Sequence, residues 1–194
     1  MNDIITKLLE ISKRYHEIEG SHGFEHTERV IKLTKFLGKK LNANMDILLP
    51  AAILHDIARA KENHALIGSR ISEDILKELK FKEEKINSIC SAIETHSFSA
   101  GRKAESIEAK ILSDADKLDA LGAIGIYRTA TYSGENSKSF KDFLAHFDDK
   151  LLKLKNLMYT DEAYKIALAR HNYMLEFLEK IKQEIDISDF NSSV

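Results

Sequence analysis

The chain has 194 residues, which is enough for one sizeable hydrophobic core and short for two independent domains. Hydrophobic residues make up 43% of it and charged residues 31%, a composition that is typical of globular domains and argues against disorder. The formal net charge of −2 offers no general attraction for a nucleic acid polymer or an anionic membrane. Any basic patch on this chain would therefore have to be local.

The cysteine content and the hydropathy pattern predict a cytoplasmic location. Cys90 is the only cysteine, so an internal disulfide is impossible, which fits a reducing compartment. Residues 1–15 carry charges every few positions and lack the continuous apolar segment of a signal peptide. No stretch approaches the roughly 20 apolar residues that a membrane helix needs, so we expect no membrane association.

Helical periodicity dominates the sequence. One proline and eight glycines leave little turn chemistry for a many-stranded sheet, whereas apolar residues recur at three- and four-residue spacing throughout. The predicted helices span residues 3–18, 24–41, 47–59, 63–79, 83–97, 104–130 with a break, 137–158 and 161–186. No repeat or linker divides the chain, so we expect one all-α domain over residues 1–187 and a polar tail over 188–194.

Polar residues that can bind metals fall on the apolar faces of several predicted helices. His26 lies four positions before Val30, and Asp116 lies four positions after Leu112, so each shares a face with buried residues. His96 likewise shares the apolar face of the helix that it ends. A single histidine on such a face is more often a satisfied core residue than a ligand, so the set has to be considered together.

The segment AAILHDIAR, residues 51–59, adds an imidazole and a carboxylate, His55 and Asp56, to an apolar run. Buried carboxylates and imidazoles are costly unless they are paired, hydrogen-bonded or bound to a metal. On a helix these two residues are about 100° apart, so one cation beside the helix could contact both. Because no matching set of buried lysines or arginines is evident, the sequence predicts a core built around a cation.

The ordered pattern H…HD…D resembles the HD-domain superfamily of metal-dependent phosphohydrolases. The matching residues are His26 in GFEHTERV, His55 and Asp56 in LHDIA, and Asp116 in DADKLDALGAIG. From about residue 20 to 180 the chain is similar to the compact one-domain bacterial and archaeal members. The resemblance implies an HD-type helical domain in which these four residues bind one divalent ion (Mn, Fe, Co, Ni, Zn or Mg) between helices, with Asp56 also catalytic. It implies that water activated by the metal attacks phosphorus.

Five further residues are candidates for the site. We expect Arg59 and Lys117 to bind phosphate, unless they are solvated surface charges. His96 could donate a proton to the leaving group or fill the core, and His64 could contact substrate or lie exposed in a first helical turn. Asp119 follows Asp116 by nearly one helical turn and could orient a ligand from outside the coordination sphere. His64 and His96 could also supply ligands to a second ion, although we favour one metal.

Some residues near the predicted site have a structural interpretation. Asp114 faces away from Asp116 and could cap a helix, and the glycines of residues 121–125 favour close helix packing over phosphate binding because no strand precedes them. Three aromatic residues could line a pocket for a base, with core packing as the default interpretation. They are Tyr127, Tyr132 and Phe140.

The leading functional hypothesis is hydrolysis of a phosphoester or phosphoanhydride, most plausibly of a nucleotide. Alarmone hydrolases carry a carboxylate three or four positions after the HD aspartate, where this chain has Arg59 and Ala60. HDIAR is closer to the HDIGK form of cyclic-dinucleotide phosphodiesterases, but their GYP motif is absent. A non-catalytic, metal-stapled nucleotide-binding domain and a di-iron oxygenase remain alternatives, and a homodimer remains open. The expected partner is a small phosphate-containing molecule.

Overall fold

A computed structural model describes residues 2–16, 23–97 and 103–187. Within these ranges the chain forms nine α-helices and a 3₁₀ segment and contains no strand, which confirms the all-α fold. The helices are α1 (Asn2–Tyr15), α2 (Phe24–Lys40), α3 (Met45–Leu54), α4 (His64–Glu78), α5 (Glu83–Thr95), α6 (Ile107–Asp119), α7 (Gly122–Glu135), α8 (Phe140–Asp149) and α9 (Asp161–Ile185), with the 3₁₀ segment (Leu151–Leu157) between α8 and α9.

Helix α3 ends earlier than its apolar pattern predicts. The prediction of a helix over 47–59 is wrong at its carboxyl end, because α3 stops at Leu54 and residues 55–60 form turns. Hydrogen bonds between residues three apart close these turns, such as the one from the Arg59 amide to the Asp56 carbonyl at 3.0 Å. His55 keeps helical dihedral angles (φ −57°, ψ −36°) as the residue that caps α3. His55 and Asp56 therefore lie at the tip of a buried helix rather than along its side.

The long predicted helix over 104–130 breaks into α6 and α7 at Ala120 and Leu121. Gly122 has a φ of +73°, which favours glycine. At Gly125 a Cβ atom would overlap the carbonyl group of Ala120. Close packing in residues 121–125, as expected from the sequence, is confirmed, and it folds α7 back beside the end of α6.

The predicted helix over 137–158 also divides into two pieces. Lys150 has φ −134° and ψ −59°, which ends α8 and starts the 3₁₀ segment. The end of the first predicted helix, residues 17–18, and the predicted polar tail, residues 188–194, lie outside the described residues. No helix in the described part of the chain is both long and apolar enough to cross a membrane.

Five helices surround the centre of the bundle. Helix α2 packs against α3 and α6, and α5 packs against α3, α4 and α6. The buried residues that join them include Leu37, Leu54, Ile89 and Leu112, all with no exposed surface. This packing brings the first turn of α2, the tip of α3, the start of α4, the end of α5 and the last turn of α6 to one place.

Candidate metal centre

His26, in the first turn of α2, contacts most of the predicted ligands. Its Nδ1 donates a hydrogen bond to Asp119 Oδ2 at 2.7 Å, which turns Nε2 towards the middle of the cluster. From there Nε2 lies 3.3 Å from His55 Nε2, 3.5 Å from Asp56 Oδ2 and 3.3 Å from Asp116 Oδ1. Burial and the charge of a nearby arginine lower the pKa of His26, but the facing carboxylates raise it to about 10.

His55 is oriented by the backbone of α3. Its Nδ1 donates to the Ala52 carbonyl at 2.9 Å, so the lone pair of Nε2 faces the cluster, 3.9 Å from Asp56 Oδ2. Burial lowers the pKa of His55 to about 4, which keeps the ring neutral and able to bind a cation. His26, His55 and Asp56 each present one ligand atom within 4.8 Å of the others, so they form a compact group that could hold a metal ion.

Asp56 has the most unusual surroundings in the cluster. Its side chain is 1% exposed, and neither carboxylate oxygen has a hydrogen-bond partner among the described residues. Burial raises the pKa of this carboxyl group, but the facing histidines and Arg59 hold it well below its ordinary value. An ionised carboxylate that is buried without donors is costly. A divalent cation would supply a partner for this carboxylate, so the donor set fits a metal.

A second compact group shares Asp56. It consists of Asp56, His64 and His96, whose ligand atoms also lie within 4.8 Å of one another. Asp56 Oδ1 is 3.6 Å from His96 Nε2 and 3.8 Å from His64 Nε2. The Nδ1 of His96 donates to the Ile93 carbonyl at 2.6 Å, which again turns Nε2 inward. One carboxylate thus lies between two pairs of histidines.

Asp116 lies at the edge of the cluster and belongs to neither compact group. Its side chain is 25% exposed, which makes it more accessible than Asp56. Burial raises the pKa of Asp116, and the neighbouring His26 lowers it by more, so the carboxylate is ionised. The structure thus brings all four predicted ligands into one neighbourhood, and their assignment as ligands stays a prediction.

Asp119, the residue predicted to orient a ligand, lies directly behind His26. Besides the His26 ring it accepts hydrogen bonds from Arg29 Nε at 2.7 Å, Arg29 Nη2 at 3.0 Å and Arg128 Nη1 at 2.9 Å. Burial raises the pKa of Asp119, but His26 and the arginines lower it to about 2. Such a carboxylate fixes the tautomer of a ligating histidine and makes its other nitrogen more basic.

A cavity of about 260 Å³ opens beside Asp116. Its charged and polar wall includes Arg59, His64, Lys117, Arg128, His146 and Lys150, and its apolar wall includes Tyr132, Leu151 and Leu154. Asp116 is the one carboxylate among the described lining residues. A lining with four lysine and arginine side chains and a single aspartate favours an anionic ligand that is partly apolar.

Three of the predicted substrate residues line this cavity. Arg59 Nη1 lies 3.2 Å from His64 Nε2, so the two side chains share one wall. Lys117 is more buried than expected of a surface charge: its Nζ donates to Ser113 Oγ and lies 5.1 Å from the centre of the Tyr159 ring. Burial lowers the pKa of Lys117. Their contact with a substrate remains a prediction.

His96 is placed differently from the other candidates. Its side chain is 1% exposed, and it is not among the described residues that line the cavity. His96 lies next to the buried Asp56, whereas His64 is one of the residues that line the cavity. Proton donation by His96 to a leaving group stays a prediction. The Nε2 of His96 lies 3.6 Å from Asp56 Oδ1.

Sequence reasoning did not single out three polar lining residues, Arg128, His146 and Lys150. His146 and Lys150 lie at the end of α8, where the sequence predicted one continuous helix instead of a bend. Arg128 follows Asp119 by nine positions, a spacing that does not match the three- and four-residue repeat of one helix face. Among the aromatic candidates, Tyr132 lines the cavity, whereas Tyr127 and Phe140 are exposed and lie outside the described lining.

Comparison with known proteins places this geometry in a family. The family profile of the HD domain matches residues 23–121, a range that contains His26, the HD pair and Asp116. The chain belongs to the HD-domain family. Its fold is that of the HD-superfamily hydrolases, and the His/Asp cluster described above lies at the family motif.

The similarity to individual HD proteins extends over nearly the whole chain. The uncharacterized protein YpgQ of Bacillus subtilis (strain 168) is 34% identical over 184 residues, covering 89% of this chain and 88% of YpgQ. A crystal structure of an HD-superfamily hydrolase from Bacillus thuringiensis is 36% identical with a TM-score of 0.78, covering 95% of this chain and 98% of that one. The crystal structure of YpgQ in complex with ADP is 29% identical with a TM-score of 0.77, covering 91% and 96% of the two chains.

Proposed function

We propose that the protein is a metal-dependent phosphohydrolase that cleaves a phosphoester or phosphoanhydride bond of a nucleotide. The observation that carries this proposal is the buried carboxylate of Asp56, whose two oxygens lack donors among the described residues. It lies next to a cavity with a positively charged lining. A cation bound by Asp56 and an anionic ligand bound in the cavity would together form a site for phosphoryl chemistry.

In this proposal His26, His55, Asp56 and Asp116 hold one divalent ion. Mixed imidazole and carboxylate donors suit Mn²⁺, Fe²⁺, Co²⁺, Ni²⁺ and Zn²⁺ better than Mg²⁺. When bound, the ion supplies a water of lowered pKa and polarises a phosphoryl oxygen. The backbone of α3 fixes the His55 ring by its hydrogen bond to Ala52, and this holds Nε2 ready without reorganisation.

The cavity lining offers some residues for the phosphates of a nucleotide and others for its base or sugar. Arg59, Lys117 and Lys150 would bind the oxygens of the phosphates, because guanidinium and ammonium groups offset the charge that develops there. Tyr132 and Leu151, which also line the cavity, would pack against a base or sugar. The crystal structure of YpgQ in complex with ADP supports a nucleotide as the ligand class.

The second compact group favours a binuclear centre as the next candidate. Asp56 could bridge one ion near His26 and His55 and another near His64 and His96. Two irons in this arrangement would support the di-iron oxygenase alternative. Metal analysis of protein purified without added metal separates these candidates, since the proposed hydrolase binds one ion per chain and the alternative binds two irons.

The decisive experiment is a substrate screen with defined metal content. Protein stripped by a chelator and reloaded with Mn²⁺ is incubated with nucleoside mono-, di- and triphosphates and cyclic dinucleotides, and the products are identified. We expect turnover that requires metal and is lost in Asp56→Ala. Asp74→Ala, which changes an exposed aspartate on α4, is the matched control. Nucleotide binding without any turnover would contradict the proposal and support the non-catalytic alternative.

A further inference from the structure

The last turn of α6 carries both of the carboxylates of that helix that contact His26. Asp116 Oδ1 lies 3.3 Å from His26 Nε2, and Asp119 Oδ2 lies 2.7 Å from His26 Nδ1. Leu118 lies between these two aspartates in the sequence. The positions of both carboxylates at the cluster therefore depend on the backbone of one helical turn.

This turn lies where the hydrogen bonding of α6 changes. The Ala120 amide donates to the Lys117 carbonyl at 3.1 Å, across three residues rather than four. The Leu121 amide donates to the Leu118 carbonyl at 3.1 Å with the same spacing. The chain then starts α7 at Gly122. Because the last carbonyls of a helix lack partners within it and helix ends open readily, the helix alone holds this turn weakly.

Arg170 of α9 supports the turn from outside α6. Its Nη1 donates a hydrogen bond to the Leu118 carbonyl, 52 positions away in the sequence. A Cβ atom at Gly122 would lie 3.0 Å from Arg170 Cγ and 3.2 Å from its Cβ, so the stem of the arginine crosses this glycine closely. Burial lowers the pKa of Arg170 and the charge of Asp119 raises it, so the guanidinium group lies within electrostatic reach of that carboxylate.

We propose that Arg170 is a positioning residue of the metal centre, which holds the last turn of α6 and thereby keeps Asp116 in place beside His26. The inference rests on the proposed function, because it requires the ion that Asp116 would bind. Arg170 lies outside residues 23–121, which match the family profile, and it is not among the described residues that line the cavity. It would therefore change metal affinity without contact with the ion or the substrate.

A second contact between α9 and α6 distinguishes positioning from general support of the bundle. The amide and the hydroxyl of Thr160 donate to Asp114 Oδ2 at 2.9 Å and 2.7 Å. Asp114 lies one turn before Leu118, within the helix rather than at its end. Loss of the Thr160 hydroxyl should therefore weaken the contact between the helices and leave the turn that carries Asp116 unchanged.

Calorimetric titration of chelator-stripped protein with Mn²⁺ tests the proposal. We expect Arg170→Met, which keeps an apolar stem but no donor, to weaken Mn²⁺ binding about tenfold, as when an outer partner of a metal ligand is removed. Arg170→Lys, which can still donate to the Leu118 carbonyl, should recover most of the affinity. Thr160→Ala is the matched control on the same helix, and it should lower the melting temperature but not the affinity for Mn²⁺.

Two results would overturn the proposal. If Arg170→Met binds Mn²⁺ as tightly as the wild type, Arg170 does not position a ligand. If Thr160→Ala weakens Mn²⁺ binding as much as Arg170→Met does, the effect comes from the general stability of the contact between α6 and α9. Circular dichroism checks that Arg170→Met is folded. If it is not, Arg170→Gln, which is polar but shorter and uncharged, carries the same test with the same expected loss.

The outcomes also distinguish this inference from the proposed function. A protein that hydrolyses no phosphate compound, but whose Mn²⁺ affinity falls in Arg170→Met and returns in Arg170→Lys, would refute the proposed function and leave the inference intact. A metal-dependent hydrolase whose Arg170→Met variant keeps the wild-type affinity for Mn²⁺ would refute the inference alone. A wild type that binds no divalent ion would refute both.

Discussion

Asp56 and Asp114 are both aspartates within the bundle, one at the tip of α3 and the other in α6, with residue exposures of 2% and 0%. Asp114 Oδ1 accepts from the Tyr159 amide at 2.8 Å, and Oδ2 accepts from the Thr160 amide at 2.9 Å and hydroxyl at 2.7 Å. The oxygens of Asp56 have no donor among the described residues. Equal burial therefore accompanies opposite hydrogen-bonding states.

The two environments also shift ionisation in opposite directions. Burial raises the pKa of Asp114, and its neutral donors from Tyr159 and Thr160 offset this only in part. Burial raises the pKa of Asp56 too, but the facing imidazoles and Arg59 bring it well below its ordinary value. Asp114 joins α6 to Thr160, the residue that caps α9, whereas Asp56 remains charged and lacks donors among the described residues. The contrast fits a structural role for Asp114 and supports the proposed role of Asp56 as a metal ligand.

Replacing Asp56 should give the largest functional effect and a small structural one. We expect Asp56→Ala to lower kcat/KM by about a thousandfold or more, equivalent to about 4 kcal/mol, because the ion loses its central ligand. The free energy of unfolding of the metal-free protein should fall by only about 1 kcal/mol, since the attraction of the facing imidazoles and Arg59 is lost but no hydrogen bond is. Steady-state kinetics and urea unfolding in chelator measure the two effects. A variant with a wild-type circular dichroism spectrum and undiminished activity would contradict the assignment.

Replacing Asp114 should reverse this pattern. Asp114→Ala leaves two buried amides and a hydroxyl unpaired, so we expect the free energy of unfolding to fall by about 3 kcal/mol. The number of ions bound per chain should not change. Thr160→Ala, which removes only the hydroxyl and its cap on α9, should cost about 1 kcal/mol and serves as the control. Loss of metal from a folded Asp114→Ala protein would remove the distinction between the two carboxylates.

Much of the site could be predicted from the sequence because its ligands sit on periodic apolar stripes. His26 and Asp116 share faces with Val30 and Leu112, and this spacing alone predicted that both point into the bundle. The fold class followed in the same way from helical spacing along the chain. The end of α3 did not, because the apolar run continues through Ile57 while the hydrogen bonds change to a three-residue spacing.

The cavity could not be predicted because it depends on packing between helices far apart in the sequence. Its lining residues come from the turns after α3, from α4, α6, α7 and α8, and from the 3₁₀ segment. Lys150 lines the cavity because α8 ends there, at a residue whose pattern continues the helix. Periodicity gives the face of a helix but not what lies opposite to it.

The acid stability of the metal-free protein should depend on Asp119. Its folded pKa of about 2 lies below the ordinary value of 3.8, so its stabilising contribution is complete above about pH 4 and is lost as the pH falls through about 2. That contribution amounts to roughly 2 kcal/mol. The difference in unfolding free energy between the wild type and Asp119→Asn should narrow below about pH 4. Urea titrations from pH 6 to 3 measure it, and a difference independent of pH would contradict the assignment.

Replacing Arg59 tests whether a metal ion or a protein cation balances the charge of Asp56. Arg59 Nη1 lies 3.8 Å from Asp56 Oδ1, and the side chain is 35% exposed at the cavity wall. If a metal ion rather than Arg59 balances Asp56, Arg59→Ala should leave metal content unchanged and shift the metal-free unfolding free energy by less than about 0.5 kcal/mol. The lost contact with phosphate should raise KM by about tenfold, equivalent to about 1.4 kcal/mol.

Lys61→Ala is the matched control for Arg59→Ala, because Lys61 lies in the same series of turns but is exposed and outside the described cavity lining. It should change neither KM nor stability. The informative contrary result is an Arg59→Ala protein that loses about as much stability as Asp114→Ala. Arg59 would then be the partner of Asp56, and the charge of that carboxylate would be balanced within the protein. In that case the argument from Asp56 to a metal ion would fail, even if the fold and the family are unchanged.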